Sequence, residues 1–279
     1  MNQKHLIIFS VLLVTAFKAV AATVTPGPAV FGNKLLVNDS EFSGVEIDTG
    51  LLTFSQPSIT QQNYNPASGG SATVYSQSSV AATGAPFVKS QVDASYTGSY
   101  GVTGTSSSSL SYQVVITGGT AGTLTAVNFG TFGQLTNTSG CTPCLNDSWL
   151  SASALLRIVD PATGTNYFQL GGTTDTIFQT GLGTTPISIF TTLNLPIDVP
   201  LDVILGVTAY GYTQEKWLNQ TIGPIMSFAF LDPTFEPVQP GITVLQSSNL
   251  IAPVPLPAAL YLFGSGLLGL IGIVRKKAG

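Results

Sequence analysis

The residues most able to take part in redox or metal chemistry are Cys141 and Cys144, which are separated by two residues in a stretch rich in Asn, Thr and Ser. A C-x-x-C pair acts as a redox dithiol when a helix N-terminus lowers the pKa of its first thiol, but the flanking residues favour a turn. Two cysteines also fall short of the four ligands of a structural zinc site. We therefore expect a disulfide between Cys141 and Cys144, with redox activity and metal binding as the alternatives.

Four large aromatic side chains are candidate ligand-binding residues: Trp149, Tyr210, Tyr212 and Trp217. Aromatic rings pack against the C–H faces of sugars, so these residues are candidates for a polysaccharide-binding platform. The alternative is that they pack the interior of the fold or cap its ends, since Tyr and Trp suit half-buried positions. The sequence favours the packing role and keeps the sugar platform as a second hypothesis.

The residue types needed for most catalytic chemistry are scarce. The only histidine, His5, lies in an N-terminal segment that we expect to be removed. No imidazole then remains for Ser–His–Asp or Cys–His catalysis, or for His-containing metal sites. Paired carboxylates leave a carboxylate-dependent hydrolase as a formal alternative. We expect a protein without enzymatic activity, bound metal or cofactor.

The charge balance indicates which partners to exclude. Residues 22–257 contain 13 acidic and four basic side chains, a net charge of −9. Proteins that bind nucleic acids need clustered cations to contact phosphates. We therefore expect no nucleic-acid partner.

Alternation of apolar and polar residues with a period of two is the dominant pattern in the body of the chain. Leu110, Tyr112, Val114 and Ile116 point to one side of a predicted strand. Two further alternating segments follow at 187–195 and 201–209. Shorter strands are predicted at 45–54, 155–159, 166–170, 226–231 and 242–245.

These strands are separated by turn-forming residues, and the body has no sustained helical periodicity. The pattern predicts an all-β fold, an antiparallel β-sandwich with a jelly roll as the alternative. Gly118 and Gly119 are expected to end one strand in a hairpin-like connection. Residues 55–109, which are polar and rich in Gly and Ser, are expected to form edge strands and long loops.

The N-terminus has the layout of a secretory signal peptide. Lys4 precedes an apolar run of 12 residues from Leu6 to Phe17, and Ala19-Val20-Ala21 supplies small side chains for a cleavage site. The run is shorter than the roughly 20 residues of a membrane-spanning helix. We expect cleavage between Ala21 and Ala22.

The C-terminus has the layout of a membrane anchor. Residues 258–274 contain no charged side chain and are followed by Arg275, Lys276 and Lys277. As a helix they would be about 26 Å long, enough to span a bilayer that thins slightly. The basic cluster stays on the cytoplasmic side, so the body is expected outside.

The motif Val254-Pro255-Leu256-Pro257-Ala258 leads into the apolar span and the basic cluster. Together these three parts resemble the PEP-CTERM sorting signal of Gram-negative bacteria, in its VPLPA variant. Leu256 replaces the acidic residue of the usual motif. The resemblance covers about the last 26 residues and implies export, anchoring in the inner membrane and processing by an exosortase.

The expected organisation of the chain follows from these signals. It comprises a signal peptide (1–21), an exported β-sandwich domain (22–246), a tether with the sorting motif (247–257), a transmembrane helix (258–274) and a basic cytoplasmic tail (275–279). The hypothesis is a non-enzymatic protein of the cell surface or biofilm matrix, delivered by an exosortase. The alternative is a carbohydrate-binding module for the producer's own exopolysaccharide.

Overall fold

The computed structural model describes residues 24–39, 44–64, 70–80, 85–96, 102–140, 150–171, 176–213 and 222–250. In these ranges the chain forms fifteen β-strands and a short 3-10 turn at Ser248–Leu250. The strands are Val30–Asp39 (β1), Gly44–Asp48 (β2), Leu52–Phe54 (β3), Ser58–Tyr64 (β4), Gly70–Val80 (β5), Pro86–Tyr96 (β6), Val102–Thr117 (β7), Leu124–Ser139 (β8), Leu150–Val159 (β9), Asn166–Gln169 (β10), Thr176–Thr180 (β11), Gly183–Pro196 (β12), Pro200–Thr213 (β13), Ile222–Pro237 (β14) and Thr243–Gln246 (β15).

The strands are arranged in two sheets, and the strand pairs within each sheet are antiparallel. Sheet A has the order β10-β9-β13-β7-β1-β2, with β11 beside β9, β15 beside β7 and β3 beside β1. Sheet B has the order β12-β8-β14-β6-β5-β4. The predicted all-β, antiparallel fold is confirmed, and the two layers are consistent with a β-sandwich.

The alternating segments of the sequence lie where the sheets meet. On β7, Leu110, Tyr112, Val114 and Ile116 are buried, as are the odd-numbered residues 201–209 of β13. Neighbouring residues on each strand point to opposite faces of a sheet, so one face of each strand is available for the interior. The alternation predicted from the sequence therefore corresponds to the inward face of sheet A.

One part of the interior is polar. The side chain of Asn33 on β1 is fully buried, and its amide nitrogen donates to Ser58 Oγ at 2.9 Å and to Thr60 Oγ1 at 3.3 Å. The buried hydroxyls of Ser76, Ser78 and Ser108 lie 2.9, 3.3 and 3.1 Å from Asn33 Oδ1. We call these six residues the Asn33 cluster. It joins β1 and β7 of sheet A to β4 and β5 of sheet B by hydrogen bonds rather than by apolar contact.

One expectation about a connection was wrong, and the expectation of edge strands in residues 55–109 holds for β4, at the edge of sheet B, but not for β5 and β6. The chain does turn after Thr117, with Gly118 at φ 103°, but β7 and β8 belong to different sheets, so the link crosses between sheets and is not a hairpin. Residues 55–109 contain β5 and β6, each 11 residues long and each paired on both sides. Their Ser and Thr side chains obscured the strand pattern because buried Ser76, Ser78 and Ser90 occupy inward positions that apolar residues usually take.

The first and last described segments are fastened to each other. Ala29 N donates to Asn249 Oδ1 at 2.7 Å, and Asn249 Nδ2 donates to Ala29 O at 2.8 Å. Ser247 Oγ donates to Gly27 O at 2.5 Å, and Leu250 is buried. We call this contact the terminal clamp. The packed body therefore continues to Leu250, beyond the boundary expected at residue 246.

Candidate functional site

Most residues singled out from the sequence lie outside the described ranges. These are Ala21, Ala22, Cys141, Cys144, Trp149, Trp217, Val254, Pro255, Leu256, Pro257, Ala258, Arg275, Lys276 and Lys277. The predicted span 258–274 also lies outside them, and within them no helix is long and apolar enough to cross a membrane. The disulfide, the sorting motif and the anchor therefore stay predictions.

Tyr210 and Tyr212 are the two sequence-predicted ligand-binding residues that the structure describes. They follow one another on the outward side of β13, where both are half-buried, and they pair with Thr105 and Thr103 of β7. Burial raises the pKa of both phenols, and the proximity of Tyr210 raises that of Tyr212 further. Their half-buried positions fit the packing role as well as the platform role.

A larger group of aromatic rings lies on the opposite side of the body, on the outward face of sheet B. Strand parity and burial assign six rings to this face, because the residues between them are buried or lie on the inward side of their strands. We call it the aromatic face; its rings are Tyr75, Phe87, Phe132, Phe190, Phe228 and Phe230. The strands that carry it are adjacent in the order β12, β8, β14, β6 and β5.

The most exposed part of the aromatic face is the pair formed by Phe132 on β8 and Phe190 on β12. Phe190 is 70% exposed and Phe132 is 43% exposed. Their ring centroids are 4.9 Å apart with an edge-to-face angle of 74°, a favourable arrangement for two aromatic rings. The pair is fixed by its own contact while much of its apolar surface meets water.

A single cation lies among the described rings further along the face. Lys89 Nζ is 5.1 Å from the centroid of Tyr75 and 5.3 Å from that of Phe228. Both distances are within the range of a cation–π interaction. Phe87 and Phe230 are adjacent, with centroids 5.8 Å apart. The amide side chains of Gln77, Gln91 and Gln134 alternate with these rings on the same face.

Two carboxyl groups of this region have raised pKa values. Burial raises the pKa of Asp232 on β14 to about 6, and its buried Oδ1 has no hydrogen-bond partner among the described residues. Burial also raises the pKa of Asp93, against the opposing effects of a hydrogen bond from Gln91 and the charge of Lys89. Tyr112, whose buried hydroxyl also has no hydrogen-bond partner in the part of the chain that the structure describes, has its pKa raised by burial and by the charge of Asp232.

The described carboxylates do not form a metal site. No group of three or more His, Cys, Asp and Glu side chains in these parts of the chain converges as metal binding would require. Asp48 instead lies 3.9 Å from Lys34 in an exposed ion pair, and Asp202 accepts a 3.0 Å hydrogen bond from Gln113.

The aromatic face was not predicted from the sequence because the apolar alternation of each strand identifies only its inward residues. On β12 the residues Ile187, Ile189, Leu193 and Leu195 lie on the inward side, and Ser188, Thr192 and Asn194 lie on the outward side. Phe190 lies on the same side of β12 as these polar residues. A large aromatic residue within a polar series was the sequence signal for an exposed ring. Phe132, Phe228 and Phe230 likewise occupy outward positions of their strands.

Comparisons with known proteins leave the family of this chain open. No family model and no curated protein matches it. One solved structure to which it has a weak similarity is described as the structure of infectious bursal disease virus Gx strain. That match has 11% sequence identity and a TM-score of 0.18, and it covers 88% of this chain and 72% of the viral chain. A similarity at this level supports no conclusion about fold or function.

Proposed function

We propose that this chain is an exported, non-enzymatic protein of the cell surface or extracellular matrix, and that its body binds polysaccharide through the aromatic face. The observation on which the binding role depends is the exposed Phe132–Phe190 pair on a sheet face that carries rings on five adjacent strands. Large apolar groups held in water on adjacent strands are typical of an interaction surface.

The composition of the face supports a sugar ligand. Each pyranose ring has a C–H face that packs on an aromatic ring and an equatorial edge of hydroxyl groups that needs hydrogen-bond partners. The aromatic face offers both, since amide side chains such as Gln77, Gln91 and Gln134 alternate with the rings. Amides donate and accept hydrogen bonds, as hydroxyl groups do, so one side chain can serve several sugar orientations.

The spacing of the two outward carboxylates of β14 supports a binding role for this face rather than hydrolysis. Asp232 and Glu236 are four residues apart on β14 with the same parity, which corresponds to roughly 13 Å along a strand. Retaining glycosidases hold their two carboxyl groups about 5 Å apart, and inverting enzymes hold them about 6.5–9.5 Å apart.

Delivery is the second part of the proposal. A signal peptide cut between Ala21 and Ala22 starts export, and a transmembrane helix at 258–274 then holds the protein in the inner membrane. Arg275, Lys276 and Lys277 remain in the cytoplasm. An exosortase-type enzyme reads residues 254–258 and cuts near Pro257, which releases the body to the surface or matrix. Pro255 and Pro257 keep this segment extended and accessible because proline cannot continue a helix.

Mass spectrometry of the protein recovered from the cell surface tests the delivery proposal. The expected protein begins at Ala22 and ends near Pro257. Deletion of the exosortase should leave a full-length tail in the membrane fraction. A surface-located protein that still ends at Gly279 would mean that the tail is a permanent anchor.

Affinity electrophoresis through gels containing a polysaccharide tests the binding proposal. The full chain is purified in a detergent without a sugar headgroup, because a glucoside or maltoside would compete for the site. Phe132→Ala and Phe190→Ala should abolish retardation by the producer's own exopolysaccharide. Phe178→Ala is the matched control, since Phe178 is 65% exposed but belongs to β11 of sheet A. Equal retardation of all three variants would refute a binding role for the aromatic face.

A further inference from the structure

A groove opens beside Phe190 at the β12 edge of the aromatic face. Its volume is about 340 Å³, within the range of small-ligand sites. The side chains of Asn128, Phe190, Thr192, Thr234 and Glu236 line it, and Gly130 contributes backbone at its floor. These residues come from the adjacent strands β8, β12 and β14, so regular structure positions every wall.

Glycine at position 130 allows the ring of Phe190 to lie against the sheet. Phe190 and Gly130 are partners in the β12–β8 register. A Cβ at position 130 would lie 3.2 Å from Phe190 Cε1 and 2.8 Å from Thr234 Oγ1, so a side chain there would push the ring or the hydroxyl away. The edge-to-face contact with Phe132 holds the ring from the other side. Phe190 is therefore a fixed apolar wall of the groove.

The other walls supply hydrogen-bonding groups. Thr192 Oγ1 donates to Asn128 Oδ1 at 3.0 Å, which orients the amide and leaves its nitrogen without a partner among the described residues. Thr234 Oγ1 donates to Gly130 O at 3.3 Å, a weak bond that a ligand can replace. Glu236 is exposed, and its carboxylate can accept hydrogen bonds from hydroxyl groups.

The charge of the groove determines which sugars it suits. Its described lining contains one carboxylate and no cation. Lys89, the cation on the same face, is engaged by the rings of Tyr75 and Phe228. The net charge of −9 over residues 22–257 adds a general repulsion of polyanions.

We infer that this groove binds one hexose unit of a neutral polysaccharide, with the C–H face of the sugar on Phe190 and its hydroxyl groups on Glu236 and Asn128. The inference rests on the proposed binding role of the aromatic face and adds the position of the subsite and the class of sugar. Uronate-containing polysaccharides are excluded from the groove because their carboxylates would meet Glu236 without a compensating cation.

The test uses the full chain in a detergent without a sugar headgroup and two sets of probes. The neutral probes are laminarin, dextran, galactomannan and cellohexaose; the anionic probes are alginate and polygalacturonate. At least one neutral probe should bind, and both anionic probes should fail. Phe190→Ala should weaken neutral binding about tenfold or more, since an aromatic contact and its buried area are lost.

Glu236→Gln tests the groove independently of the other parts of the aromatic face, because Glu236 lines the groove and is not one of the rings. It should weaken neutral binding by about fivefold or more, because hydrogen bonds to a charged acceptor are stronger than those to an amide. Asp48→Asn, which removes an exposed carboxylate from sheet A, is the matched control and should change nothing.

Three outcomes would overturn the inference. Anionic probes that bind as well as neutral ones, or neutral binding that is unchanged in Glu236→Gln, would refute the subsite while leaving polysaccharide binding by the aromatic face intact. Failure of every probe would refute the proposed function itself. A shift from dimer to monomer in Phe190→Ala, measured by sedimentation, with unchanged sugar binding would assign the groove to contact between two copies of the chain.

Discussion

Replacement of Asn33 by leucine tests whether the Asn33 cluster stabilises the sandwich. The substitution keeps the number and branching of the side-chain heavy atoms but removes the amide that joins five hydroxyl groups from β4, β5 and β7. We expect Asn33→Leu to lower the free energy of unfolding, because the surrounding hydroxyls stay buried after they lose their shared partner.

The magnitude follows from which hydroxyls keep another partner. Ser76 retains the carbonyl oxygen of Ser107 at 2.7 Å, and Ser108 retains Ser76 at 3.1 Å. Ser78 keeps only a 3.4 Å contact with Ser58. One or two groups are therefore left poorly satisfied, at about 1–3 kcal/mol each, so the expected loss is about 2–4 kcal/mol. For a domain of this size the melting temperature should fall by roughly 5–15 °C.

The assay is guanidinium unfolding of the full chain in detergent, followed by circular dichroism. Asn194→Leu is the matched control, because Asn194 is exposed on β12, and its effect should be within about 0.5 kcal/mol. The combination of Asn33→Leu with alanine at Ser76, Ser78 and Ser108 should recover part of the loss, since it removes the orphaned hydroxyls together with their acceptor. If Asn33→Leu unfolds within about 1 kcal/mol of the natural chain, the cluster adds no net stability and our reasoning is wrong.

Three further predictions concern other features of the body. Asp232→Asn should stabilise the body above about pH 6 and lose this advantage below about pH 4. Burial raises the pKa of Asp232 to about 6 in the folded protein, so the free energy of unfolding of the natural chain falls as the pH rises between the unfolded and folded pKa values. Parallel pH profiles of the denaturation midpoint for the variant and the natural chain would refute this. Gly118→Ala should lower the melting temperature strongly, since φ is 103° and a Cβ would lie 1.9 Å from Gly241 O. Gly122→Ala is the control: φ is positive there too, at 76°, but a Cβ would lie in open space, so the melting temperature should fall less. Equal decreases for the two variants would contradict the steric explanation. Asn249→Ala should increase the hydrogen-exchange rate of the Ala29 amide, which donates to Asn249 Oδ1 at 2.7 Å, without changing the rate at Leu205 in the core. An unchanged exchange rate at Ala29 would mean that the terminal clamp opens readily in solution.

The fold class could be predicted because apolar alternation is a local property of each strand. Residues 201–209 supply five consecutive inward positions of β13, and such a run identifies a half-buried strand without knowledge of its partners. The partners themselves were not predictable, because the link through Gly118 has the same turn residues whether the next strand returns in the same sheet or crosses to the other.

The polar interior and the aromatic face were harder to find for a common reason. In both places the side chain differs from the usual residue for its side of the strand: buried Ser76 and Asn33 look like surface residues, and exposed Phe190 looks like a core residue. Their environments depend on which strands lie beside them. The hydroxyls are satisfied by residues from other strands, and the ring is held by Gly130 and Phe132, about 60 positions away in the chain.

The terminal clamp has a mechanical consequence for the proposed form of the body that is still held by its transmembrane helix while it binds a polysaccharide. The clamp attaches the C-terminal segment to residues directly before β1, and β15 attaches it to β7 of sheet A, whereas the aromatic face belongs to sheet B. Tension between the anchor and a bound glycan would therefore act across the two layers and tend to pull one away from the other. The resistance to such a load comes from the apolar interior and from the Asn33 cluster, whose hydrogen bonds bridge the layers directly. Hydrophobic contacts yield gradually because they have no preferred direction. A network of directional hydrogen bonds breaks over a short extension. The Asn33 cluster would therefore determine how stiffly the tethered body responds to a pull.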